Sequence, residues 1–243
     1  MLYKYRINVT VSIIIILALA IVFSVMRAMG TLGPSSFRWM LPLSFCIMAI
    51  LPLILLTKNG RNEIGLLKPF KNSHYFLGIA FGVAAAFFCF LSGVTIFGKG
   101  VENWFVNIGN SYKSIMDTTG MSFLTLNLIF TIPAIIFSPI GEEIFFRGIL
   151  QKTLEQKHSV ITSTIAECIL FSLVHLCHHG IIKISTGLVF LPLSASLWVI
   201  QMFCVAFMFS WLRLKTGSIY VSIASHAAFN ITMNFLIFIF LWS

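Results

Sequence analysis

Seven runs of this chain are apolar and almost free of charge for long enough to cross about 30 Å of hydrocarbon, and that repetition decides the class of fold. The runs are Val9 to Met26, Trp39 to Leu56, Tyr75 to Phe97, Ser122 to about Leu150, Val160 to Cys177, Ile184 to Leu212 and Gly217 to Trp242. Of the 243 residues, 58% are hydrophobic and only 9% are charged, where a soluble domain carries about 25% charged residues. No soluble core needs that much apolar material. In hydrocarbon each backbone polar group must be satisfied within the protein, which runs of this length achieve as helices. The expected fold is all-α: a polytopic transmembrane helical bundle of about seven spans, with eight as the alternative count. The first run follows Lys4 and Arg6 as a signal peptide would. It is longer than an ordinary signal-peptide core and lacks a small-x-small cleavage site, so it is read as a retained span.

The formal net charge of +9 belongs to the membrane as well. Basic residues beside apolar spans set topology and attract anionic headgroups. No basic cluster with interleaved aromatics lies outside the spans, so nucleic-acid binding is not expected. With the N-terminus inside, the inner segments hold Lys4, Arg6, Lys58, Arg61, Lys68, Lys71, Arg147, Lys152, Lys157, Arg213 and Lys215. The outer ones hold Arg27, Arg38, Lys99, Lys113 and Lys183, which favours the N-terminus inside and the C-terminus outside. The polar segment from Gly98 to Met121 reads as an outer loop or interfacial helix, with Trp104 as a headgroup anchor. Cys46, Cys89, Cys168, Cys177 and Cys204 all fall within apolar runs without CxxC spacing and read as inert buried thiols. There is no internal repeat or linker, and nothing in the sequence points to an oligomeric state.

Chemistry concentrates in one stretch, Ile140-Gly141-Glu142-Glu143-Ile144-Phe145-Phe146-Arg147-Gly148. Charge inside an apolar span is a functional candidate by default. Residues four apart share a helix face, so Glu143 can pair with Arg147. Glu142 points roughly 100° away, with no cation three or four residues on, and is read as free for chemistry. Pro133 and Pro139 interrupt the same span and predict a kink. Gly141 and Gly148 permit close approach of a neighbouring helix or a substrate backbone.

Two later spans carry histidines with helix-spaced companions: Phe171 four residues before His175, and Asn230 four after His226. At about 1.5 Å per residue, Glu142 lies roughly 15 Å from the inner face and His226 roughly 16 Å. His175 overshoots when counted from Lys157, unless the polar start at Ser159 to Thr164 sits in the interface. The three groups can then share one layer. Glu167, on the face of Phe171 and His175, reads either as a protonated, hydrogen-bonded carboxyl or as a partner of the site. His175 and His179 have the spacing of a metal-ligand pair, against the plainer reading of a polar helix end that includes His178. His74 and His158 sit at span boundaries and read as solvated.

Glu142-Glu143-x-x-x-Arg147, Phe171-x-x-x-His175 and His226-x-x-x-Asn230, in this order on successive apolar helices, resemble the CPBP family. These are the CAAX-prenyl-protease and bacteriocin-processing intramembrane proteases, also called the Abi family. Ser138-Pro139-Ile140-Gly141 and Phe146-Arg147-Gly148 look like that family's first motif. The resemblance covers roughly Ser122 to Asn234 and implies a four-helix catalytic core within residues 122–243. Residues 1–121 are spans and an outer loop without signature, in one continuous membrane domain. It implies that Glu142 and His175 activate water, that His226 and Asn230 stabilise the oxyanion, and that Glu143 and Arg147 hold the turn. The family has been described both as metalloproteases and as metal-free glutamate proteases. Glu142, His175 and His226 could supply three Zn²⁺ ligands, with water as the fourth. HExxH is absent, however, and Asn is a poor zinc ligand, so metal-free activation is the expectation, with Zn²⁺ left open.

The expected protein is therefore an integral membrane endopeptidase that cuts a membrane-associated peptide or protein precursor near the inner side of the bilayer. The rival readings are a transporter or ion permease using the buried charges as a path, and a non-catalytic immunity or signalling scaffold. A transporter's broken helices in paired halves are not found in the sequence. Short loops lean, by analogy alone, toward a bacterial member in the cytoplasmic membrane and away from prenylated substrates.

Overall fold

In the computed structural model, residue 3, residues 8–184 and residues 187–242 are described. Lys4 and Arg6, used above to orient the chain, lie outside the described residues. Among the described residues, seven helical spans are long and apolar enough to cross a membrane: Val9–Leu32, Ser35–Leu55, Ser73–Phe97, Phe123–Leu154, Val160–Cys177, Pro192–Thr216 and Ile219–Leu241. They are called here the first to seventh spans. Large apolar side chains such as Ile14, Ile21, Phe76, Phe88 and Ile161 are exposed along them, the surface a bilayer would cover.

Two clusters of buried apolar residues make the interior. One gathers Phe23, Phe45, Phe145, Phe146 and Phe171 from the first, second, fourth and fifth spans. The other gathers Trp104, Phe105, Trp198, Phe209 and Phe238. Trp104 begins a helix, Trp104–Ile115, between the third and fourth spans. It is fully buried, stacks on Trp198 at 6.0 Å and donates its indole N–H to the Cys89 carbonyl at 2.8 Å. The headgroup anchor expected from its position is therefore an interior residue. A ring partner and a carbonyl acceptor inside the bundle satisfy both its apolar body and its polar tip.

The sixth span is shorter at its start than the apolar run suggests. Ile181–Ile184 pairs antiparallel with Gly187–Phe190 as a hairpin, and the helix begins only at Pro192, in its first turn. Proline there gives up no helical hydrogen bond. In the fourth span, π-helical stretches at Asn127–Thr131 and Glu143–Leu150 interrupt the α-helix. Pro133 follows the first of them and Pro139 sits one turn before the second. Irregularity thus falls where the prolines predicted it, and the second stretch carries the charged turn.

The seventh span is the most enclosed, and the third lies closest along it. Gly78 and Gly82 face it: a Cβ at Gly82 would lie 2.0 Å from the Ser225 carbonyl oxygen, and one at Gly78 2.8 Å from that of Val221. Both obstacles are backbone, so the helices would have to part. The spacing Gly78-x-x-x-Gly82 is the small-residue signal for such contact. Gly82→Val is expected to lower stability by about 3 kcal/mol, the upper part of the range for overpacking, read as a fall in the detergent melting temperature. An unchanged melt would refute this approach of the third and seventh spans. Gly141 is used the same way: its Cβ would meet the Phe45 carbonyl oxygen of the second span at 2.5 Å. Of the two uses foreseen for it, contact with a neighbouring helix is the one observed.

Candidate active site

The two glutamates of the fourth span face different partners. Glu143 Oε1 lies 3.3 Å from Arg147 Nη1, as their spacing predicted, and 2.8 Å from His226 Nδ1. Glu142 turns the other way, toward His175, with Oε2 3.8 Å from Nε2. It is not without a cation: Arg27 of the first span places Nη1 2.8 Å from Glu142 Oε1. The expectation of an unpaired Glu142 is thus corrected. Helix spacing reveals only partners within one span, and this one comes from another.

Each group is held from more than one side. Ser138, one turn earlier, donates its hydroxyl to Glu142 Oε1 at 3.0 Å. His175 sits where the α-helix Val160–Val174 gives way to a 3-10 turn, His175–Cys177. Its Nδ1 is 2.6 Å from the Phe171 carbonyl oxygen, so Nδ1 carries the proton and donates it, leaving Nε2 as an acceptor between Arg27 Nη2 and Glu142 Oε2. Phe171 therefore serves through both its backbone and its ring, which lies 4.3 Å from that of His175.

Arg147 is fully buried, its guanidinium 3.9 Å from the Phe171 ring and 5.4 Å from that of Phe209. Its Nε is 3.4 Å from Glu167 Oε1. Ser210 donates to Glu167 Oε2 at 2.9 Å. Glu167 thus faces the buried Arg147 and accepts from Ser210, contacts that belong to both of its readings. Three buried carboxylates, Glu142, Glu143 and Glu167, thus each face a guanidinium, as charges excluded from water must.

His226 stacks on Phe209 at 5.0 Å and turns Nδ1 toward Glu143; among the described residues its Nε2 has no hydrogen-bond partner. Asn230 donates its amide to the Ala134 carbonyl of the fourth span at 2.9 Å. The fold thus joins Glu142 to His175 and Glu143 to His226. The Phe171 ring, 6.2 Å from that of His226, lies between the two pairs. The spans are staggered: His226 is two turns into its span, and His175 is in the last turn of its own. Counting from the inner ends alone could not place these groups in one layer.

His175 and His179 do not converge as a ligand pair. His179 is buried against Ser194 at 3.0 Å, edge-on to Trp104 and Trp198, and burial pushes it down to about 4. His178 Nε2 accepts from Arg27 Nε at 2.7 Å. Burial first, and the Arg27 cation second, hold His178 well below the usual imidazole range, so it is neutral and can accept at pH 7.

Among the described residues no three His, Cys, Asp or Glu side chains are gathered to hold a metal ion. Glu142, His175 and His226 do not fit zinc as arranged. The Arg27 cation lies against the first two, with Nη2 3.4 Å from His175 Nε2, and Glu143 takes Nδ1 of the third.

Arg27 is a member of this site that sequence reasoning misses, as are Phe209 and Ser210. The available signal is an arginine at the end of an apolar run, which by itself speaks only to topology. With the geometry in place, comparison with known proteins adds a family. A model described as Rce1-like, the type II CAAX prenyl endopeptidases, matches residues 124–232. No curated protein and no solved structure matches the chain.

Proposed function

Residues 124–232 belong to the Rce1-like type II CAAX prenyl endopeptidases, a branch of the CPBP family of intramembrane proteases, and from that premise we propose how this CAAX-type endopeptidase cuts its substrate. The observation that carries the proposal is the facing of Glu142 Oε2 and His175 Nε2 across 3.8 Å inside the bundle. A water molecule can hydrogen-bond to both at ordinary distances of about 2.8 Å. Glu142 takes the water's proton as the oxygen attacks the peptide carbonyl, and His175, with Nδ1 locked on Phe171, aligns the water and relays the proton to the leaving amine. General acid–base assistance of this kind is worth about 10²–10⁴-fold.

The groups assigned to the oxyanion are the Asn230 amide, after leaving the Ala134 carbonyl, and His226 in the form protonated on both ring nitrogens, which donates from Nε2 while Nδ1 donates to Glu143. Glu143, Arg147 and Glu167 keep the turn and the His226 ring in register. No metal enters the scheme, a reading supported by the guanidinium that lies beside both proposed water ligands.

The substrate is a membrane-associated peptide or protein precursor, reached from within the bilayer. The host membrane is taken as the bacterial cytoplasmic membrane. The N-terminus is placed inside, since Lys58, Arg61, Lys68, Lys71, Lys152, Lys157 and Lys215 cluster at that face. Membrane peptides from cells carrying the parent and from cells carrying His175→Ala are expected to differ: precursors accumulate and their fragments disappear in the variant. Identical peptide profiles at equal expression would count against proteolysis. A permease would instead show solute flux in proteoliposomes that His175→Ala abolishes.

A further inference from the structure

We propose that Arg27, on a span outside the family-matched region, is a positioning residue of this site that holds Glu142 in the orientation from which it activates water. The proposal rests on the reading of Glu142 given above. Four contacts carry it. Arg27 Nη1 reaches Glu142 Oε1 at 2.8 Å, Nη2 lies 3.4 Å from His175 Nε2, Nε is 2.7 Å from His178 Nε2, and the guanidinium lies 5.5 Å from the Phe45 ring. The side chain is only 6% exposed.

Each contact has a consequence. Arg27 and Ser138 together occupy Oε1, so Oε2 is the carboxylate oxygen left to face His175. The planar fork fixes the angle of the carboxylate as well as its position, which a lysine's point charge does not. The same fork spans Glu142 and His175, fixing the gap in which the water is to sit. A neutral His178 accepts from Nε and aims the fork, which gives that histidine a purpose the family motifs do not assign. In a region of low dielectric, the cation also compensates the charge of the carboxylate it holds.

A merely structural arginine and a positioning one are separated by three measurements on purified full-length protein. The probes are internally quenched CAAX-terminated peptides, with and without a farnesyl group. Arg27→Met is expected to lower kcat by about 100-fold, the scale of a misplaced catalytic group, with KM within about twofold of the parent. Arg27→Lys falls between the two. Guanidinium ion at tens of millimolar is expected to restore part of the Arg27→Met rate, as sodium ion does not. In melting experiments, Arg27→Met should destabilise the parent more than it destabilises Glu142→Gln, since the partner is then already neutral.

Turnover by Arg27→Met within about twofold of the parent, alongside an inactive Glu142→Gln, would overturn the role of Arg27 alone. Additive melting shifts would overturn the pairing. A Glu142→Gln protein as active as the parent would overturn the water-activation reading itself, and the Arg27 proposal with it.

Discussion

Glu142→Gln is expected to lower the rate of peptide cleavage by about 10²–10⁴-fold, the full range of general-base assistance, in a protein that still folds. The substitution preserves shape and removes only the ability to take a proton. Glu142 is fully buried and wedged between Ser138 and Arg27, so an isosteric amide stays in place. Its carbonyl can still accept from the Ser138 hydroxyl and from Arg27. Stability should fall less than activity does, because Arg27 retains the His178 acceptor and its place beside Phe45. Single-turnover cleavage in proteoliposomes, with melting and size-exclusion profiles run in parallel, separates the two effects. Parent-like cleavage would assign the carboxylate a structural role and remove the basis for proteolysis by this site.

The asymmetry between the two glutamates shows which parts of such a site a sequence can carry. Glu143 with Arg147 is legible because the pairing lies within one helix, where i, i+4 neighbours meet whatever the rest of the chain does. The seven spans are legible for a similar reason: length and apolarity alone decide whether a segment can cross a bilayer. Glu142 with His175 is accessible through motif order. Arg27 is not accessible, because its partner His175 lies 148 positions away and a basic residue near the end of an apolar run has an ordinary topological explanation. The hairpin Ile181–Ile184 with Gly187–Phe190 merges into the sixth apolar run for a related reason. Short apolar stretches do not declare their period, and only the glycine and Pro192 mark the break. Trp104 misleads differently: an aromatic amid polar residues reads as interfacial until Trp198 is known to lie beneath it.

The misses at Arg27 and Trp104 share a cause. Each depends on which spans are neighbours, and in a membrane bundle that choice is made by small residues and buried polar groups rather than by apolarity, which lipid satisfies equally well. The signals that set adjacency here, Gly78 with Gly82, Gly141, and Arg27, all lie in or face the first three spans. The half of the chain with no recognisable motif therefore closes the site that the other half presents.

Arg147→Met should have the largest effect on folding. The side chain is fully buried, and its removal would leave Glu143 and Glu167 in the interior without the cation that lies 3.3 and 3.4 Å from them. Breaking one buried pair in this way costs about 3–5 kcal/mol, a large part of the roughly 5–15 kcal/mol that typically holds a domain together. Methionine roughly fills the space between the Phe171 and Phe209 rings, so a collapse in folded yield would report the stranded carboxylates and not a cavity. Arg147→Lys should be intermediate, since an ammonium cannot address two carboxylates as a fork does. The decisive comparison adds Glu143→Gln and Glu167→Gln to Arg147→Met. With the stranded charges neutralised, folding should recover, because a buried ion network can be replaced by neutral groups of similar shape at little net loss. The amide introduced by Glu143→Gln would still offer an oxygen to His226. An Arg147→Met protein that folds and melts like the parent, or a triple variant no better folded than the single one, would show that charge compensation is not what stabilises this turn.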